Sequence, residues 1–149
     1  MIVDAVETLR RSPLFELLSP AELGALAELC RPRDFAAGET IFEAGSPAVS
    51  LFVLGAGEVE VLHPTPAGDK VLAALAAPDS FGEMGLVDRE ARSAAVRART
   101  ACETLELTAE AFTAFRKRSR DGFTFVVINI ARILSHRLRD TSDRLARLA

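Results

Sequence analysis

At 149 residues, with 49% hydrophobic and 26% charged residues and a net charge of −3, the chain is long enough for one domain with a buried core. It is too acidic for a general nucleic-acid binder. Its two cysteines, Cys30 and Cys102, lie too far apart for a metal spacing or a disulfide framework, so each reads as a buried thiol in a reducing, cytoplasmic setting. No apolar run of about 18 residues occurs, residues 123–130 being far too short, and Asp4 and Glu7 interrupt any signal-peptide core, so no membrane span is expected.

Residues 2–10 place Ile2, Val3, Val6 and Leu9 at helical spacing, and Ser12-Pro13 breaks that helix. Ser19-Pro20-Ala21-Glu22 starts a second helix: Ser19 caps it, Pro20 suits its first turn, and Glu22 completes a capping box. Leu23, Leu26, Ala27 and Leu29 form its buried stripe.

From residue 33 to about residue 107, glycines and prolines punctuate short β-rich runs, a pattern of many short strands in a barrel, roll or sandwich. Candidate strands are residues 40–43, 50–54, 58–62, 70–74, 94–98 and 103–107. The alternation Glu58-Val59-Glu60-Val61 turns Val59 and Val61 inward. His63, beside Pro64 and near Pro66, reads as an exposed turn residue. Thr108 caps a helix that ends near residues 116–120, and Asp121-Gly122 reads as a break. Residues 123–148 then form one long helix. Val127, Ala131, Leu134, Leu138, Thr141, Leu145 and Leu148 give it a heptad seam that fits a homodimer. Val126, Ile130 and Ile133 supply a second apolar face for the roll. The whole is expected to be a single domain over residues 1–149: helices in 1–30, strands in 33–107 and helices in 108–149.

The stretch that carries chemistry is residues 81–96, FGEMGLVDREARSAAV. Gly82 lets backbone approach a ligand closely. Residues 83–86 can form one helical turn whose free N–H groups, those of Glu83 and Met84 first, face an anion. Arg92 can grip a phosphate through two parallel hydrogen bonds, and Ser93 adds a hydroxyl beside the small Ala94. Glu83 would repel a phosphate, so it is better suited to accept a hydrogen bond from a sugar hydroxyl. The combination fits a ligand with one negative charge and a neighbouring ribose.

This run resembles the phosphate-binding cassette of the cyclic nucleotide-binding domain family, whose pattern is Phe-Gly-Glu-(Leu/Met)-(Gly/Ala)-Leu, a short loop, then Arg-(Ser/Ala/Thr)-Ala. Pro13-Leu14-Phe15 resembles the family's entry segment, and GETIFEAGSPAVSLFVLGAGEVEVL resembles its first strands, with Gly45 and Gly57 at turn positions. The resemblance implies a mainly β fold: an eight-stranded antiparallel, jelly-roll-like β-roll flanked by N-terminal helices and a long C-terminal helix. It implies cyclic nucleotide binding at Gly82, Glu83, Met84, Arg92, Ser93 and Ala94. Thr141 and Ser142 match a Thr-Ser pair that contacts adenine from two subunits in the family's bacterial activators, which favours cAMP, with cGMP as the alternative ligand. Those activators continue into a helix-turn-helix, so the chain reads as a stand-alone sensor that contacts a downstream protein and does not itself bind DNA.

Other chemistry finds little support. Two distant histidines, His63 and His136, make no metal cluster, no G-x-S-x-G is present, and no catalytic residue is assigned, so an enzyme is not expected. The run Arg116-Lys117-Arg118-Ser119-Arg120 reads as a solvated helix end opposing the helix dipole. Two rival readings are a dimerisation or scaffold module with an unused pocket, and a sensor of another small molecule. If that molecule were haem, its axial ligand would come from His63, His136, Cys30 or Cys102.

Overall fold

The computed structural model describes residues 4–87 and 90–148; Ile2 and Val3 of the first helical stripe, and residues 88 and 89 of the cassette loop, lie outside them. Helix α1 (Ala5–Arg11) is capped by Asp4, and a 3₁₀ turn (Pro13–Phe15) is capped by Ser12. Helix α2 (Pro20–Leu29) carries the full capping box between Ser19 and Glu22. These caps satisfy N–H groups that the first helical turn leaves free.

Eight strands follow: β1 (Arg31–Phe35), β2 (Thr40–Phe42), β3 (Ser50–Ala56), β4 (Glu58–Thr65), β5 (Gly68–Ala76), β6 (Ser80–Phe81), β7 (Ala95–Ala98) and β8 (Cys102–Thr108). They pair antiparallel in two four-stranded sheets, ordered β1-β8-β3-β6 and β2-β7-β4-β5. A single turn, α3 (Met84–Val87), interrupts the strands, and α4 (Ala109–Arg118) and α5 (Arg120–Leu148) close the chain.

Strand β3 explains why the sheets and helices form one body. Its side chains alternate between two cores, so both of its faces are buried. Leu51 and Val53 join Leu105, Leu107, Leu26, Phe115, Val126 and Ile130 between the first sheet and the helices. Phe52 and Leu54 join Phe35, Val59, Phe81, Val96 and Ala98 between the sheets. Val59 is fully buried and Val61 packs against the inter-sheet core, as their alternation requires. Cys30 and Cys102 are both buried free thiols, and burial pushes Cys30 up to about 12.

Several local expectations need correction. Strand β1, RPRDF, was hidden by its charges and its proline; it is an edge strand, where a missing N–H is tolerated. Strand β6 is two residues long and leaves no periodic signal. His63 is exposed but sits in β4 and not in a turn. Asp121-Gly122 is not a break: α5 begins at Arg120 and runs through both residues. The chain turns instead at Ser119, the extended C-cap of α4.

Gly122 is a glycine for reasons of space. A Cβ there would lie 2.8 Å from Glu22 Oε2, 2.8 Å from Phe115 Cζ and 2.9 Å from Ser119 Oγ. These atoms knit α2, α4 and α5 together: Ser119 Oγ donates to Glu22 Oε2 at 2.6 Å and accepts from the Gly122 N–H at 3.0 Å. The Ser119 hydroxyl and the Ser19 N–H hold the Glu22 carboxyl below the usual range. Gly122→Ala should therefore cost about 1–3 kcal/mol through overpacking. Gly24→Ala, in α2 with nothing within 4 Å of its new methyl, should be neutral or stabilising by about 0.5–1 kcal/mol. Urea denaturation of both variants checks the contrast.

Candidate functional site

The cassette is assembled where β6 leaves the first sheet and β7 enters the second. Gly82 follows Phe81 with φ +81, in the left-handed region that favours glycine. That turn swings Glu83 inward and starts α3. The N–H groups at the start of such a turn have no partner within it and are available to a ligand. Across from it, the backbone of Arg92 is pinned to the turn before β3. The Gly45 N–H donates to Arg92 O at 2.7 Å, and the Arg92 N–H donates to Ser46 O at 2.8 Å.

This frame points the Arg92 side chain into the protein, where it is 8% exposed. Its Nη1 donates to Gly82 O at 3.1 Å and its Nη2 to Ser50 O at 2.5 Å, while its guanidinium carbon lies 4.0 Å from the Phe42 ring centroid. A cation over an aromatic face is stabilised by the ring quadrupole. Burial pulls the Arg92 pKa down, and the charges of Glu83 and Glu106 oppose that pull. A guanidinium starts so high that it stays charged.

Glu83 is 3% exposed. Its Oε1 is paired with Arg137 Nη1 of α5, and Arg137 Nη2 donates to Ser80 O at 3.0 Å. One helix side chain thus ties α5 to both ends of the cassette's first turn.

Two buried side-chain polar atoms among the described residues have no hydrogen-bond partner: Glu83 Oε2, an acceptor, and Arg92 Nε, a donor. A buried polar group left unpaired costs about 1–3 kcal/mol. Both belong to residues that line one cavity of about 400 Å³. Phe42, Val61, Leu75, Phe81 and Val96 give the cavity an apolar wall, and Arg137 stands at its edge. The arrangement can take a ligand that has a hydroxyl to donate and an anionic oxygen to accept, joined to an apolar or aromatic body.

The structure brings Gly82, Glu83, Met84, Arg92, Ser93 and Ala94 together around this cavity. Met84 and Ser93 are exposed at it and Ala94 is half-buried. Thr141 and Ser142 do not line it in the single chain. Both are exposed, and Thr141 Oγ1 donates to Arg137 O of its own helix. Arg137, to which the sequence reading gives no role, also lines the cavity. Its signal in the sequence is its place four residues before Thr141, on the same helix face. The long helix behaves as its two stripes require at its start, with Val126 and Ile130 buried. Of the seam, Leu138 is 67% exposed and Leu145 63% exposed. Among the described residues no helix is long and apolar enough to cross a membrane.

A family model for the cyclic nucleotide-binding domain matches residues 32–119. A CRP-like cAMP-activated global transcriptional regulator of Mycobacterium tuberculosis is 27% identical over 143 residues, which are 95% of this chain and 62% of that protein. The crystal structure of the Thermus thermophilus catabolite activator protein superposes with a TM-score of 0.79 at 31% identity, covering 91% of this chain and 62% of that one. A cyclic nucleotide-binding domain from Methylobacillus flagellatus shares the fold, with a TM-score of 0.85 at 23% identity over 97% of this chain and 82% of its own. The chain thus spans about three fifths of the length of the regulators it matches.

A methyl group on Gly82 would meet Arg92 Nη1 at 2.9 Å and Ser50 O at 3.1 Å. Gly82→Ala should lose about 1–2 kcal/mol for its backbone conformation and a further 1 kcal/mol or so for crowding Arg92. Gly38→Ala, with φ +86 but nothing within 4 Å, should lose only the backbone part. Chemical denaturation of the two variants separates the contributions.

Proposed function

Because the chain belongs to the cyclic nucleotide-binding domain family, we propose that it binds a cyclic nucleotide, cAMP in preference to cGMP, and acts as a sensor and not as an enzyme. The observation that carries this reading is the pair of unpartnered buried side-chain atoms on two residues that line one cavity. The cyclic phosphate is placed against the N–H groups of Glu83 and Met84 and accepts from Arg92 Nε. The ribose 2′-hydroxyl donates to Glu83 Oε2. Gly82 and Ala94 leave room for the ring, Ser93 adds a hydroxyl to the phosphate, and the apolar wall takes the sugar edge and base.

Arg137 gives binding a route to the long helix. Glu83 is shared between the ligand and α5, so a ligand that draws Glu83 inward changes the stability of one helix position relative to another. That is a population shift, and it requires unequal affinity for the two positions. The output then passes through α5 to a downstream protein. The acidic composition supports sensing over direct DNA contact by residues 1–149.

The exposed seam of α5 supports a homodimer as the working form. In that form, Thr141 and Ser142, one turn beyond Arg137, come to the base from the paired helices and select adenine. The M. tuberculosis relative is a cAMP-activated regulator, which agrees with that preference. A dimerisation module with an unused or differently liganded pocket is the competing reading. It predicts the same dimer and no response to cyclic nucleotides.

Arg92→Ala should lower cAMP affinity tenfold or more, since a charge-assisted contact contributes about 1.5–3 kcal/mol. Isothermal titration calorimetry checks this. Unchanged affinity in the variant refutes the site, and absence of binding in the parent chain favours the competing reading.

A further inference from the structure

Arg92 carries its charge inside the protein, yet among the described residues it forms no ion pair; its Nη groups end on two backbone carbonyls. The acids that influence it, Glu83 and Glu106, are each held by another cation. For Glu83 that cation is Arg137. Glu106 lies on β8 and does not line the cavity, so ligand contact does not explain it.

Strand register puts Glu106 at a junction. Arg31 of β1 lies directly opposite it, and Arg33 lies opposite Thr104, two residues away on the same face. On the other side, β3 places Phe52 opposite Glu106 and Ser50 opposite Thr108, so Ser50 shares that face too. The contacts follow the register. Glu106 Oε1 accepts from Arg33 Nη1 at 3.0 Å and from Arg31 Nη2 at 3.5 Å, and Oε2 accepts from Ser50 Oγ at 2.8 Å. Ser50 faces both ways: its hydroxyl binds Glu106 and its carbonyl binds Arg92. One residue therefore separates the buried carboxylate from the buried guanidinium.

We propose that Arg31, Arg33 and Glu106 form a positioning network for anion capture, in which the two outer arginines hold the Glu106 carboxylate against Ser50 and so keep Arg92 available for a phosphodiester. A buried carboxylate without a cation seeks the nearest one. If the outer arginines were lost, Glu106 would turn its charge on Arg92, through or past Ser50, and compete with the ligand. Arg31 and Arg33 do not line the cavity, so they are positioning residues and not binding residues. The proposal rests on the cyclic nucleotide reading of the cavity.

The test uses the full chain and three variants: Arg31→Gln with Arg33→Gln, the same pair with Glu106→Gln added, and Arg10→Gln as a distant surface control. Calorimetry with cAMP should show the double variant weakened about fivefold or more, roughly 1 kcal/mol. Adding Glu106→Gln should restore affinity to within about twofold of the parent, because the competing carboxylate is gone. The Arg10 control should match the parent. A double variant equal to the parent, or a triple variant weaker than the double, overturns the proposal, since a merely structural role predicts worsening with each change. Should the parent fail to bind cAMP, the cavity reading fails separately. The side-chain NH resonance of Arg92 in the ligand-free protein then decides the network: it should move in the double variant and return in the triple, and a resonance that stays put in the double variant overturns it.

Discussion

The site depends on a buried cation that the protein supports without neutralising. The Arg92 guanidinium rests on the Phe42 ring and donates to two backbone carbonyls, which are dipoles and not charges. Dipoles and a ring face stabilise a cation enough to keep it inside, but they leave its net charge available. An adjacent carboxylate would stabilise it further and close the site to an anion. Gly82 belongs to the same solution: its carbonyl accepts from the guanidinium, its φ is left-handed, and a side chain there would crowd Arg92 Nη1.

Glu83 answers the opposite requirement. It is a buried carboxylate, and burial disfavours its charge unless that charge is compensated. Arg137 compensates it from outside the β-roll, so the cassette is electrically complete only when α5 is docked. The cassette and α5 are therefore linked through one ion pair.

Much of this was legible in the chain, and the reasons are physical. The cassette could be read because its residues are contiguous and each is constrained: a glycine for its conformation, an arginine for its fork, small residues for space. The capping box at Ser19 and Glu22 and the alternation at Val59 and Val61 were visible because they are local. What escaped notice was set by distant partners. Strand β1 pairs with β8 across about half of the sequence, which its own charged residues cannot foretell. Gly122 reads as a helix breaker until Phe115, Ser119 and Glu22 are placed around it. Arg137 and Glu106 look like solvated charges, and only the fold pairs Arg137 with the buried Glu83 and packs Glu106 against the buried Ser50. Thr141 and Ser142 are exposed, and nothing in the fold of the single chain marks them.

Strand β3 is buried on both faces and hydrogen-bonded on both edges, to β8 and β6. Such a strand behaves as a stiff beam: it can open only when both hydrophobic layers come apart together. Its amides should be among the slowest in the molecule to trade hydrogen for deuterium, with openings close to global unfolding. The distal half of α5, wet along its length, has no comparable restraint. Motion in this protein is thus channelled by architecture, away from the beam that carries Ser50 and toward the helix that carries Arg137.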